Sequence, residues 1–422
     1  MKIALVCPYN MLDRPGGVPQ VVMHLHDGLK KRGHEVKIIT QRPSSFKGKA
    51  PEDYVLFGIT RTFKTNGLGT EGNWGMPSDG NEIAAYFKKE NFDVVNVHEP
   101  WLPWLAWQIL RNSHTVYVAT FHANLIDTPG GKVWTSNLFT PFGRPFVEKM
   151  HLLTATSPAS AAALLNMADM KRPHDRMMME NLRYLPCGVE LSYFKPVKKR
   201  EPLSGPGTKT IVYIGRLEKR KGVEYLIDAF AELVQRLPEA RLIIAGQGVL
   251  SKKLQQRVKS EKIPHITFAG YVSDDERLRL LQNADLACFP STQGEGFGIV
   301  LLEAMACGTP LLAGNNLGYV NVMKGRGRMG LIDPMATKDF ANRLEVFLTD
   351  EDLRKMMSGW ALSEVKQYDY PKIAEQYEAA FKAAIEIRRT YGHKPKRSLE
   401  KMEKHDKKQK RVVRRLFIRR HA

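Results

Sequence analysis

The stretch EGFGIVLLEAMACG, from Glu295 to Gly308, decides how the second half of this chain folds. Between Ile299 and Cys307 the residues are compatible with a helix and apolar, and only Glu303 interrupts them. A helix that is apolar nearly all round is buried, and a buried carboxylate is costly unless donors hydrogen-bond to it. The stretch therefore predicts a buried helix in which Glu303 needs hydrogen-bond donors.

The two glutamates of this stretch have a structural and a functional interpretation. In the structural one, Glu303 pairs with an internal arginine or amide and Glu295 caps the helix, which is the commoner case for either residue alone. In the functional one, sugar hydroxyls donate to Glu303, and Gly296 and Gly298 let the N–H groups of the helix start face an anion. Charged residues at other strand ends favour the functional interpretation.

Apolar runs alternate with helix-like stretches on both sides of a linker rich in Pro, Gly and charge. This alternation predicts an α/β fold of two Rossmann-like, doubly wound domains facing a central cleft, with ligands beyond the carboxyl ends of the strands. The predicted segments are a first domain 1–194, a linker 195–209, a second domain 210–370, a C-terminal helix 371–389 and a basic tail 390–422. The predicted strands are KIALVC, HEVKIIT, DVVNVH, TVYVAT, LLTAT and LRYLP before the linker, and TIVYIG, ARLIIAG, HITFAG, ADLACFP and TPLLAG after it.

Length and cysteine usage limit the classes of protein to which this chain can belong. With 422 residues and 43% hydrophobic content, the chain can form two cores. Its four cysteines lie far apart without a CxxC pair, which argues against a disulfide scaffold or a metal knuckle and fits a reducing cytoplasm. The apolar run from Ile3 to Cys7 is too short for a signal sequence or a membrane span.

The formal charge of +20 is largely a property of the tail. Residues 388–422 contain 15 Lys and Arg against three acidic residues, and thus carry +12 of the total. The tail has no Trp, and no Tyr after Tyr391, so a specific nucleic-acid partner is a remote alternative. On a helix, Val412, Val413, Leu416 and Phe417 would share one side among arginines. That pattern predicts contact with an anionic membrane surface.

Charged and glycine residues follow the predicted strands on both sides of the cleft. Arg216 comes immediately after a strand and Lys221 precedes the next helix, where a guanidinium and an ammonium suit a diphosphate. Lys219 and Arg220 between them fit a solvated basic loop. In the first domain, Gly16 and Gly17 precede a helix and His122 follows a strand. His98 also ends a strand, but a structural role is the preferred interpretation there.

GRLEKRKG, AGQG and EGFGIVLLEAMACGTP together resemble the donor domain of glycosyltransferase family 4, whose members have the GT-B architecture. Glu295 and Glu303 match the E-x7-E motif of that family. CPYN, PGGV, DVVNVHEP and ATFH are most similar to the phosphatidyl-myo-inositol mannosyltransferases within it. The resemblance extends over most of residues 1–385 and implies an acceptor-binding first domain and a second domain that binds a nucleotide sugar.

The resemblance also implies roles for individual residues. The transfer would be retaining, from GDP-mannose to a lipid such as phosphatidylinositol, on the inner face of the cell membrane. No tightly bound cofactor is implied, and Mg²⁺ is possible but not evident, with no metal ligands predicted. The implied catalytic residues are His122, Arg216, Lys221 and Glu295; those binding the donor are Gly16, Gly17, Arg216, Lys221, Glu295, Phe297, Gly298, Ile299 and Glu303; those binding the acceptor are Tyr9, Asn66 and His122.

Departures from the family pattern concentrate on the acceptor side. Pro19 stands where the lipid mannosyltransferases usually have glutamine, Ala123 where they have threonine, and Asp127 where they have lysine. An acceptor phosphate would lose donors and meet a carboxylate. A UDP-sugar donor with another glycolipid or a soluble sugar as acceptor therefore stays an alternative, as does an inactive glycan- or nucleotide-binding module, which the full set of donor residues disfavours.

Overall fold

The computed structural model describes residues 1–9, 11–12, 16–65, 70–76, 78–100, 102, 105–124 and 140–392. It contains two mostly parallel sheets, one of eight strands and one of six. Alternate residues of a strand enter different cores, since Leu5 packs on one side of the first sheet and its neighbours Ala4 and Val6 on the other. Both faces of the sheet are therefore covered, which confirms the predicted α/β fold with two doubly wound halves.

The first half is built around the eight-stranded sheet. Its elements are β1 Lys2–Val6, α1 Gly17–Lys31, β2 Glu35–Pro43, β3 Tyr54–Thr65, β4 Thr70–Met76, α2 Gly80–Glu90, β5 Val94–His98, α3 Leu105–Asn112, β6 Val116–Phe121, α4 Thr140–Val147, β7 Leu152–Ala155, α5 Pro158–Met167, α6 Pro173–Glu180 and β8 Arg183–Tyr184. The strand order is β4-β3-β2-β1-β5-β6-β7-β8, with β3 and β4 antiparallel. This hairpin was not predicted, because β4 is rich in glycine and polar residues and lacks an apolar run.

The second half is built around the six-stranded parallel sheet, and the predicted linker lies between β8 and its first strand. Its elements are β9 Lys209–Ile214, α7 Val223–Arg236, β10 Ala240–Ala245, α8 Ser251–Ser260, β11 Ile266–Gly270, α9 Asp274–Asn283, β12 Leu286–Phe289, α10 Ile299–Ala306, β13 Leu311–Gly314, β14 Leu331–Ile332, α11 Thr337–Thr349, α12 Glu351–Glu364 and α13 Tyr370–Tyr391. The strand order is β11-β10-β9-β12-β13-β14. The buried helix predicted from the opening motif is α10.

The last helix, α13, returns to the first sheet. Ile373 and Tyr377 share a buried core with Leu5 of β1. The helix also approaches α1 closely, because a Cβ placed on Gly28 would lie 2.8 Å from the Cβ of Ala374. The predicted C-terminal helix therefore completes the core of the first half instead of extending the second.

An ion-pair cluster fixes α13 to the first half and gives a stability prediction. Lys382 and Arg32 lower the pKa of Glu378 to about 2. A depressed carboxyl pKa stabilises the fold above the unfolded value of about 4.3, and this contribution is lost as the pH falls toward the folded value. Glu378→Gln should therefore lower Tm at neutral pH, and the difference from wild type should shrink below about pH 4.

Thermal unfolding followed by circular dichroism at several pH values checks this prediction. Glu375→Gln serves as the matched control, since Glu375 is exposed on the same helix. A Tm difference for Glu378→Gln that stays constant across the acid range would contradict the assigned ion pairing.

Candidate active site

The loop between β9 and α7 carries four basic side chains with different environments. Lys219 is exposed, and Arg216 is 53% exposed with its Nη1 2.8 Å from Oε1 of Glu218. Arg220 and Lys221 are only 17% and 15% exposed. The burial of Arg220 corrects the prediction that it belongs to a solvated loop.

The two buried cations both contact the carboxylate of Glu295. Its Oε1 lies 2.7 Å from Nζ of Lys221 and 3.1 Å from Nη1 of Arg220. Arg220 also donates from Nε to Oε2 of Glu218 at 3.1 Å. Arg220, Lys221 and Glu295 therefore form one network of charges beside the cleft, which was not predicted.

The network decides the charge of Glu295. Burial works to raise its pKa, but Lys221 and Arg220 outweigh burial and hold the pKa below the ordinary value. Glu295 is therefore an anion at neutral pH and keeps two cations in fixed positions. It does not cap α10, because the N-cap is Gly298, which corrects the structural interpretation of this residue.

The start of α10 presents backbone N–H groups. Gly298 has φ 115°, and a Cβ there would lie 2.7 Å from Cδ1 of Tyr319, so only glycine fits this turn. In the described part of the chain, no side chain caps the helix. Phe297 is buried, with its ring centroid 5.9 Å from that of Tyr368. The backbone N–H groups at the start of α10 can therefore donate to an anion or to a hydroxyl oxygen.

Glu303 lies within α10 and is 4% exposed. Nη1 of Arg277 lies 3.3 Å from its Oε1. Burial raises the pKa of Glu303 to about 7, against the effect of Arg277. The internal arginine of the structural interpretation is thus present, but burial outweighs its effect on the pKa of Glu303.

The starts of α1 and α10 face each other across the cleft. Gly16 is the N-cap of α1, and no described atom lies within 4 Å of a Cβ added there. A Cβ on Gly17 would lie 3.6 Å from Cδ1 of Ile299. Among the described residues, Gly16 therefore borders open space, and Gly17 lies within van der Waals range of the start of α10.

His122 follows β6 at the edge of the first sheet. Its Nε2 lies 2.8 Å from Nδ1 of His98, and the two rings stack with centroids 5.1 Å apart. Burial lowers the pKa of His122 to about 3 and that of His98 well below its ordinary value. His122 is therefore a neutral imidazole, oriented by a second histidine that the sequence analysis placed in a structural role.

Glu99 was not predicted as a site residue. It is 3% exposed, has φ 50°, and its Oε1 accepts from the backbone N–H of His122 at 2.5 Å and of Ala123 at 2.6 Å. Burial raises its pKa to about 7. Burying a carboxyl group costs free energy, and so does holding its residue in the left-handed backbone region. Here the two features together fix the turn that carries His122.

The remaining acceptor-side residues lie near the same turn or outside the described residues. Burial raises the pKa of Tyr9 well above its ordinary value, Glu99 adds to the shift, and Arg216 of the second half opposes it. Tyr9 packs against the core of the first half. Asn66 and Asp127 lie outside the described residues.

The two halves of the site meet at Gly296. A Cβ on Gly296 would lie 1.8 Å from the carbonyl oxygen of His122, so only glycine allows this approach. Nδ2 of Asn124 also donates to the carbonyl oxygen of Glu295 at 3.4 Å. The structure therefore brings His122 and Glu295 together, although they come from different sheets.

Among the residues that the structure describes, no group of three or more His, Cys, Asp or Glu side chains is arranged to hold a metal ion. None of the helices described is both long and apolar enough to cross a bilayer.

Comparison with known proteins agrees with this geometry. The family model described as Glycosyltransferase Family 4 matches residues 15–193, and the model described as Glycosyl transferases group 1 matches residues 194–361. The chain is 31% identical to a phosphatidyl-myo-inositol mannosyltransferase of Mycolicibacterium smegmatis, over 92% of this chain and 96% of that protein.

Solved structures share the architecture at lower identity. Sucrose-phosphate synthase from Thermosynechococcus elongatus superposes with a TM-score of 0.71 at 20% identity, over 90% of this chain and 98% of that one. The Anabaena protein Alr3699/HepE in complex with UDP-glucose superposes with a TM-score of 0.69 at 18% identity, over 91% of this chain and 100% of that one. The chain is therefore a glycosyltransferase of the GT-B fold and belongs to glycosyltransferase family 4.

Proposed function

We propose that this enzyme transfers mannose from GDP-mannose to a membrane lipid such as phosphatidylinositol, with retention of the anomeric configuration. The observation that carries the proposal is the 31% identity to a phosphatidyl-myo-inositol mannosyltransferase along nearly the whole of both chains. The cluster of Arg220, Lys221 and Glu295 opposite His122 supports it.

The basic loop would act on the leaving diphosphate. Breaking the glycosidic bond places negative charge on the diphosphate and positive charge on the sugar ring. Lys221, held by Glu295, and Arg216, at the mouth of the cleft, would stabilise the negative charge as it develops. The N–H groups of Gly298 and Ile299 at the start of α10 would add partial positive charge. No tightly bound cofactor is part of this proposal.

The other side chains would position the sugar and the nucleotide. The neutral imidazole of His122 and the N–H groups beside Phe297 would bind hydroxyls of the mannose. Glu303 would accept hydrogen bonds from the ribose, and the open space at Gly16 would admit the phosphate. Tyr9 would lie on the acceptor side with Asn66.

A UDP-sugar and a different acceptor form the second candidate. The structural likeness to a protein that binds UDP-glucose favours it on the donor side. On the acceptor side, Pro19 is buried within α1 and offers no side-chain donor, and the N–H of Ala123 is already bound to Glu99. These two residues depart from the lipid mannosyltransferase pattern.

A donor and acceptor screen separates the candidates. Purified enzyme is incubated with radiolabelled GDP-mannose, UDP-glucose or UDP-N-acetylglucosamine, and with phosphatidylinositol vesicles, other lipid vesicles or soluble sugars. Label in phosphatidylinositol from GDP-mannose supports the proposal. Label from a UDP-sugar in a soluble acceptor contradicts it, and binding of a donor without any transfer identifies a binding module.

The basic tail is proposed to hold the enzyme on the inner face of the cell membrane, although residues 393–422 lie outside the described residues. Each basic residue near an anionic surface contributes about 1 kcal/mol, so deleting residues 394–422 should abolish co-sedimentation with anionic vesicles. Binding of the nucleotide sugar, measured by calorimetry, should not change. Equal co-sedimentation with and without the tail would place membrane attachment in another part of the chain.

A further inference from the structure

We propose that Ser157 is a positioning residue for glycosyl transfer, which holds the loop of Glu295 and Gly296 against the first half of the molecule. Ser157 follows β7, is the N-cap of α5, and is 2% exposed. Its Oγ donates to the carbonyl oxygen of Gly296 at 2.5 Å. This hydrogen bond joins the two halves of the molecule beside His122.

The Ser157 hydroxyl donates its proton to the carbonyl oxygen of Gly296. The backbone N–H of Ser160 donates to Oγ of Ser157 at 3.2 Å, as expected of an N-cap. A hydroxyl has one proton, and a carbonyl oxygen can only accept. Ser157 therefore has two separable functions, since it accepts for the helix cap and donates to the loop.

The loop that Ser157 holds carries the charges of the site. Gly296 directly follows Glu295, whose carboxylate binds Lys221, and precedes the start of α10. Only a glycine permits the approach of this loop to the carbonyl of His122. Losing the donor at Ser157 would remove this hydrogen bond to the half-buried carbonyl of Gly296 and loosen the position of Glu295 relative to His122. The inference rests on the proposed function in that Glu295 must act in the transfer.

Three variants separate the loop contact from the helix cap. Ser157→Asp keeps a good N-cap acceptor but has no proton to donate to Gly296. Ser157→Thr keeps both functions. Ser160→Ala removes a hydroxyl that bonds the backbone of Ser157 and does not contact Gly296. If Ser157→Asp does not fold, Ser157→Gly replaces it, because glycine at an N-cap costs little stability.

Hydrogen exchange and kinetics together test the proposal. In Ser157→Asp without ligand, peptides covering residues 292–298 should exchange about tenfold faster, and kcat with GDP-mannose should fall about tenfold at unchanged KM for the donor. Ser157→Thr and Ser160→Ala should match wild type. Exchange and kcat of Ser157→Asp equal to those of Ser157→Thr would overturn the proposal. Absence of turnover of GDP-mannose by wild type would overturn the proposed donor alone, and hydrogen exchange would then decide the role of Ser157.

Discussion

Replacing Lys221 by methionine should lower kcat for glycosyl transfer by about 100-fold or more, because a fixed cation at the proposed diphosphate site would act on charge that grows in the transition state. Lys221 is 15% exposed and 2.7 Å from Glu295, so its ammonium is held in place before the donor binds. Methionine keeps most of the side-chain volume and removes the charge together with the ion pair to Glu295. Initial rates at saturating donor measure the effect.

Lys219 provides the matched control for this substitution. It lies two residues away in the same loop and is exposed. Lys219→Met removes one positive charge from the same surface and should leave kcat close to wild type. Equal losses for Lys219→Met and Lys221→Met would indicate a diffuse basic surface and would contradict a defined diphosphate site.

Replacing Glu303 by alanine should weaken nucleotide binding by about 10- to 100-fold, which corresponds to the roughly 1.5 to 3 kcal/mol of hydrogen bonds to a charged group. Glu303 is 4% exposed and lies beside Arg277, so water would not replace the carboxylate as the acceptor for the ribose hydroxyls in the variant. Calorimetric titration with GDP and with GDP-mannose gives the change in Kd.

The pKa of Glu303 adds a second test of the same role. Burial raises this pKa to about 7, so the carboxylate form that we propose accepts ribose hydroxyls becomes more populated as the pH rises through neutrality. Affinity for GDP-mannose, whose diphosphate does not titrate in this range, should therefore increase from pH 6 to pH 8 in wild type, and Glu303→Gln should lose this dependence. Unchanged affinity in a folded Glu303→Ala protein would contradict the ribose role.

The fold could be predicted from the sequence because the apolar residues of its cores recur at the spacings of strands and helices. The buried strands appear as short apolar runs, and α10 appears as an apolar helix with one carboxylate. The hairpin of β3 and β4 could not be found in this way, because half of it is polar and rich in glycine. The docking of α13 on the first sheet is a long-range contact, and local periodicity does not specify the partner of a helix.

The charged residues of the candidate site could be predicted from the sequence, but the contacts that hold them in place could not. Lys221 and Glu295 follow strand ends, and the structure places them 2.7 Å apart. Arg220 resembles an exposed loop residue in sequence, and its burial against Glu295 depends on how the loop turns. Glu99 gives a weak signal in sequence, because its function depends on a left-handed backbone conformation at the end of β5.

The proposed reaction is checked by the structure of the product formed from GDP-mannose and phosphatidylinositol vesicles. The anomeric configuration of the transferred sugar is determined by NMR on the purified lipid. We expect a mannosyl lipid that keeps the α configuration of the donor, formed by wild type and nearly lost in Lys221→Met. A β-linked product, or a lipid labelled by UDP-glucose and not by GDP-mannose, would contradict it.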